Sequence, residues 1–111
     1  MAEITRETLE LAALAAGHKI YGWCLLCEGR IAYADIGPED AVEWRPHLDD
    51  GDAARLADKL LMYVDSRGTA VQARVVGAEW HRVERDGNPS AWREAVVLCA
   101  AAVGERMRGE R

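Results

Sequence analysis

Two cysteines, Cys24 and Cys27, have the spacing at which paired thiolates bind a metal ion or form a redox couple. A structural zinc site usually needs a second pair of ligands at similar spacing, and the sequence contains none. Two leucines separate the thiols, which indicates a buried strand. Successive side chains of a strand point to opposite faces, so the two sulfurs would point away from each other. We therefore expect no metal or other cofactor, and zinc- or thiol-dependent chemistry at this pair is an alternative.

Three aspartates, Asp49, Asp50 and Asp52, bring carboxylates close together, as a calcium loop would. A calcium loop of about 12 residues ends on a bidentate glutamate, whereas the twelfth residue counted from Asp49 is Leu60. An aspartate just before a helix accepts hydrogen bonds from the free N–H groups of the first turn. The sequence therefore predicts that these carboxylates cap a helix.

Nucleophilic catalysis has no support in the sequence. His18 and His81 have no serine or cysteine partner at a spacing that indicates a nucleophile and its base. No glycine-rich loop lies at a junction of strand and helix, where it would hold a phosphate. We expect no catalytic residues and a protein that is not an enzyme.

The tryptophans are the unusual feature of the composition, which has four of them and no phenylalanine. Trp23 and Trp92 fit the apolar patterns of predicted core elements. Trp44 and Trp80 lie next to loops or polar residues, where an indole can anchor an interface. Core packing can explain Trp44 and Trp80 when each is considered alone. The competing interpretation is that at least one of the two is exposed for binding a partner.

Length and charge indicate a single globular domain over residues 1–111, half of them hydrophobic and 30% charged. No apolar run approaches the roughly 20 residues that cross a bilayer, and the N-terminus has no signal-peptide pattern. The formal net charge of −5 disfavours binding to phosphates. We expect a cytoplasmic protein that has neither nucleic acid nor membrane among its partners.

Apolar periodicity and capping residues predict the helices that position these groups. The first begins after Thr5 and ends at Gly17, a residue that accepts the left-handed conformation. The second begins at Asp49 or Asp50, its apolar face continues to Val64, and Gly68 is expected to close it.

The third helix begins at Ser90 or Asn88 and is apolar nearly all round. Such a helix is either central in the fold or covered by a partner. The alternative function is therefore a homo-oligomeric structural or regulatory phage module, such as a homodimer, in which Val97, Leu98 and Ala101 pack against a second copy.

Two hairpins are predicted between the helices, one from residues 19–27 and 31–36 and one from residues 69–76 and 79–84. Residues 37–46 are expected to form a loop. The order is then α-ββ-α-ββ-α, an α+β fold in which the helices pack on a mostly antiparallel sheet.

The run from Trp44 to Leu56, W-R-P-H-L-D-D-G-D-A-A-R-L, is similar to the W-x-P-x-x-D-D-G-D-A-x-R-L signature of the phage ABA-sandwich family. The C-terminal helix and the helix that ends at Gly17 resemble the same family. Its members are small phage and prophage proteins of largely unknown function. The resemblance implies an α-β-α layered domain and transfers no catalytic residue. Where this chain has Arg45 and His47, the family often has Asn and Leu, so the turn displays different groups.

These observations predict a small non-enzymatic phage or prophage accessory protein that acts by binding another protein. The expected partner is a host or phage protein, and the expected role is inhibition of a host or defence factor, as in anti-CRISPR proteins. The predicted binding residues are Trp44, Arg45, His47 and Trp80.

Overall fold

A computed structural model describes residues 4–23, 32–34 and 42–109. In chain order its elements are α1 (Arg6–Ala16), β1 (Ile20–Trp23), β2 (Ala32–Ala34), β3 (Val42–Trp44), α2 (Asp50–Lys59), β4 (Tyr63–Asp65), β5 (Ala70–Arg74), β6 (His81–Glu84) and α3 (Ala91–Gly109). The strands form two antiparallel sheets, β1-β2-β3 and β4-β5-β6. The α+β class is confirmed, but a unit of three strands and a helix occurs twice, where hairpins of two strands were predicted.

The first helix forms as its caps predict. The hydroxyl of Thr5 accepts from the Thr8 N–H at 3.2 Å, and Gly17 closes the helix with a left-handed φ of 77°. These signals are local, since they depend on residues within one turn of each helix end. The β1–β2 hairpin also forms, although Cys24 and Cys27, which were predicted to lie in its first strand, are outside the described residues.

The second helix is shorter than predicted because it ends in a Schellman motif. The N–H of Leu61 donates to the Asp58 carbonyl at 3.1 Å, and that of Met62 donates to the Ala57 carbonyl at 2.9 Å. Leu61 takes a left-handed φ of 53° at the position that is usually glycine. Since leucine gives no stop signal, apolar periodicity alone predicted that the helix continued into what is β4.

A strand, β3, replaces part of the predicted loop at residues 37–46. It pairs with β2, where Tyr33 lies opposite Glu43. The last residue of β3, Trp44, is buried in the main core cluster together with Leu9 and Val96. Burial of a large indole stabilises a short strand that propensity alone does not predict.

The third helix is central. It packs against α1, α2, β5 and β6, and its two apolar sides belong to two core clusters, one with Val97 and one with Cys99. The alternative that a second copy covers Val97, Leu98 and Ala101 stays a prediction. Val97 and Ala101 are buried inside the chain, and Leu98 is half-buried.

Helices α1 and α3 pack closely against each other at Gly104. A Cβ placed on Gly104 would lie 1.8 Å from the carbonyl oxygen of Leu11 and 2.6 Å from its carbonyl carbon. Glycine is therefore required at this crossing, because the obstacle is backbone and cannot rotate away. Among the described residues, no helix combines the length and apolar composition of a membrane span.

The second sheet has an inner and an outer face. Val71 and Ala73 of β5 point toward α3 and are fully buried. Because side chains alternate along a strand, Gln72 and Arg74 point outward. Tyr63 of β4 lies directly opposite Arg74 on this outer face.

Candidate functional site

Trp44 is only 2% exposed, so its prediction as a binding residue is wrong. Its pairing in β3 turns the indole into the core, where it makes a T-shaped contact with the His18 ring at 5.6 Å between centroids. A core indole cannot anchor a partner without unfolding the strand that carries it.

The turn after Trp44 is fastened to α2 by aspartates. The Arg45 N–H donates to Asp52 Oδ2 at 3.0 Å, and the Asp52 N–H donates to Asp49 Oδ2 at 2.8 Å. Asp49 is the N-cap of α2, as the sequence predicted. The buried Asp52 also accepts from Arg55 Nη2 at 2.5 Å. These carboxylates serve the turn and helix terminus.

Arg93 of α3 fastens the same turn from the other side. Its Nε donates to the His47 carbonyl at 3.2 Å, and its Nη1 donates to Asp50 Oδ1 at 2.6 Å. The Arg45 side chain is exposed and lies 4.0 Å from Glu43, while His47 is half-buried. The stretch that resembles the phage family thus connects α2 and α3 through these hydrogen bonds. A binding role for Arg45 and His47 stays a prediction.

Trp80 lies in a different cluster, on the outer face of the second sheet. The guanidinium carbon of Arg74 lies 4.8 Å from the centre of the Trp80 ring and 5.8 Å from that of the Tyr63 ring. Tyr63 is the cross-strand neighbour of Arg74 on β4. On the other side, Ala73 pairs with His81, which brings the preceding Trp80 beside Arg74. The three side chains form one row across the sheet.

Exposed apolar residues extend this row. Leu61 precedes β4 by two residues and Val76 follows β5 by two, so both lie at the same end of the sheet as Tyr63 and Arg74. We call these five residues, Leu61, Tyr63, Arg74, Val76 and Trp80, the Arg74 patch. Its four apolar or aromatic members are 77%, 55%, 76% and 42% exposed in the order Leu61, Tyr63, Val76, Trp80.

The charge of Arg74 is not neutralised by an acid among the described residues. On the same side of the sheet, Arg82 Nε donates to Glu84 at 2.9 Å. Arg67 in the β4–β5 loop donates to Asp65 at 3.2 Å and lowers the pKa of that carboxyl. Arg74 has no such bond, and its Nε is buried without a hydrogen-bond partner in the described part of the chain.

Most of this patch could not be found from the sequence. Alternation along residues 69–76 does place Arg74 on the polar side of a strand. It does not show which residues of the neighbouring strands flank Arg74. Tyr63 and Leu61 were assigned to the second helix, whose end has no glycine signal. Trp80 alone was named, because it borders a turn.

A cavity of about 690 Å³ lies between the β5–β6 turn and α3 and is lined in part by His81, Cys99 and Arg106. Burial lowers the pKa of His81; Arg106 acts in the same direction and Glu79 opposes it. Burial raises the pKa of the Cys99 thiol. A buried thiol with a raised pKa is a poor nucleophile, so this cavity does not support covalent catalysis.

No cluster of His, Cys, Asp and Glu within residues 4–23, 32–34 and 42–109 could hold a metal ion. Cys24 and Cys27 lie outside those ranges, so the alternative of a zinc- or thiol-dependent protein stays a prediction.

Compared with known protein families, curated proteins and solved structures, the chain matches none of them. The likeness to the phage ABA-sandwich family therefore stays a prediction that depends on the sequence motifs.

Proposed function

We propose that the protein acts by binding another protein through the Arg74 patch and not by catalysing a reaction. The observation that carries this proposal is the row itself: a guanidinium that has no acid partner among the described residues, held between two exposed aromatic rings. Tryptophan, tyrosine and arginine are the residues that most often dominate the energy of protein interfaces. Contact with the two rings also orders the Arg74 side chain before a partner binds. Less side-chain conformational entropy is then lost on binding.

Folding alone does not account for the composition of the patch. Single exposed apolar residues are common on proteins, but here two exposed aromatic rings contact one cation and two more exposed apolar residues lie at the same end of the sheet. Leu61 is the clearest case, because it is exposed and also holds a left-handed backbone. That conformation costs about 1 kcal/mol or more for a residue with a Cβ. A leucine that is costly and buries little in the free protein supports a role in contact with a partner.

The remaining proposal concerns the kind of partner. The family resemblance supports a phage or prophage accessory protein that works in the cytoplasm of a host cell. There it would inhibit a host or defence factor by occupying its surface, as anti-CRISPR proteins do. A homo-oligomer built on α3 has less support, since Val97 and Ala101 are already buried within the chain.

Affinity capture with matched surface variants tests the proposal. The wild-type protein, Trp80→Ala and Leu48→Ala are immobilised and exposed to the same host lysate. Leu48 is an exposed residue on the turn that carries Arg45 and His47, so it serves as the control for that second surface. We expect wild type and Leu48→Ala to recover one protein in equal amounts and Trp80→Ala to lose it. Equal recovery by Trp80→Ala, or recovery of no stoichiometric partner, would contradict the proposal.

A further inference from the structure

We infer that the Arg74 patch receives a carboxylate from its protein partner, an aspartate or glutamate side chain that pairs with the Arg74 guanidinium. The inference rests on the proposed function and specifies the chemistry that the partner must present.

The charges of the sheet face point to this occupant. Arg82 is paired with Glu84, and Arg67 is paired with Asp65. Arg74 lies on the same side and has no carboxylate among the described residues. A partner that supplies one acid would complete the pattern that the other two arginines already have. A cation left unpaired against partly dehydrated rings is also where a new ion pair gains most, because fewer waters screen it.

The position of the two rings leaves open the edge of the Arg74 guanidinium that carries the Nη groups. With Trp80 at 4.8 Å and Tyr63 at 5.8 Å, the rings contact Arg74 without taking up its hydrogen-bond donors. Its Nε is buried, so the terminal Nη groups are the donors presented outward. Two Nη donors on a planar, fixed group match the two oxygens of a carboxylate. The neighbouring Leu61 and Val76 offer apolar surface to the residues beside that acid.

A carboxylate fits this site better than a phosphate. Proteins that bind phosphorylated partners use clusters of arginines, whereas the patch contains a single unpaired cation. The net charge of −5 also repels a dianion more strongly than a monoanion.

Nuclear magnetic resonance tests the inference with defined probes. The isotope-labelled full chain is titrated with the capped peptide acetyl-Leu-Glu-Leu-amide and with its neutral counterpart acetyl-Leu-Gln-Leu-amide. The signals to follow are the indole N–H of Trp80 and the Nε–H of Arg74. We expect saturable shifts with the Glu peptide, at a dissociation constant on the order of 1 mM, and about tenfold weaker binding of the Gln peptide.

Two variants supply the controls. Arg74→Lys keeps the charge but loses the planar fork, so it should lose the preference for Glu over Gln. Arg82→Lys changes an arginine that is already paired, and it should keep the preference. Backbone signals of α3 report whether each variant is folded.

Each contrary result has a distinct meaning. Equal binding of the two peptides, no saturable shift with the Glu peptide, or tighter binding of inorganic phosphate at the same signals would overturn the inference. If the peptide titration gave one of these results but Trp80→Ala still lost the captured partner, the proposed function would stand without the carboxylate inference. If Trp80→Ala retained the partner, the proposed function itself would fail.

Discussion

The guanidinium carbon of Arg74 lies over the Trp80 ring, 4.8 Å from its centre, on the solvent-facing side of the second sheet. The contact contributes on the order of 1 kcal/mol to folding at such an exposed site. It fixes the direction of the arginine, and that direction matters more for recognition than for stability.

The two tryptophans that the sequence could not tell apart should separate clearly by mutation. Trp44→Ala removes a buried indole and should lower the free energy of unfolding by about 3–5 kcal/mol. Trp80→Ala should lower it by about 1 kcal/mol or less. Urea unfolding followed by far-ultraviolet circular dichroism measures both. Similar losses for the two variants would mean that Trp80 is a core residue.

The difference between these tryptophans shows where sequence reasoning ends. The capping of α1 by Thr5 and of α2 by Asp49 was predictable, since each signal lies within a few residues of the helix end. The burial of Trp44 depends on the pairing of β3 with β2, a contact between segments that no local pattern encodes. The partners of Arg74 likewise follow from strand register and not from spacing along the chain.

Because α1 and α3 pack closely at Gly104, the stability of the fold should be sensitive to any side chain added at this position. Gly104→Ala would place a Cβ against the Leu11 carbonyl oxygen, and we expect a loss of about 3 kcal/mol or failure to fold. Gly109→Ala, in the same helix with open space around its Cβ position, should change stability by less than about 1 kcal/mol. Thermal unfolding of the two variants decides the point, and a tolerated alanine at 104 would mean the helices do not cross here.

Replacing the left-handed leucine should stabilise the free protein. Leu61→Gly removes the steric cost of φ 53° at an exposed site, and we expect a gain of about 0.5–1 kcal/mol. Leu48→Gly, at an exposed leucine without positive φ, should give no gain. Urea midpoints provide the measurement. If Leu61 belongs to the binding surface, the stabilised variant should also bind its partner more weakly. A destabilised Leu61→Gly would instead show that the side chain packs in the fold.

Burial of His81 should make stability depend on pH. Its pKa in the folded chain is lowered from the ordinary 6.5, so below that pH the unfolded chain takes up a proton before the folded chain does. Stability therefore falls as the pH drops from 6.5 toward the lowered value. His81→Gln should lack this part of the loss, which comparison of urea midpoints between about pH 7.5 and about pH 5 would reveal. Parallel curves for the two proteins would place His81 in solvent.

The central claim, that the Arg74 patch is the surface that binds another protein, is tested most directly by site-specific photo-crosslinking. A benzophenone side chain is placed at Val76, inside the patch, or at Leu48, on the turn that contains Arg45 and His47. We expect a crosslink to one protein from Val76, loss of that crosslink when Arg74→Ala is added, and no crosslink to that protein from Leu48. A crosslink from Leu48 alone, or one from Val76 that survives Arg74→Ala, would contradict this claim.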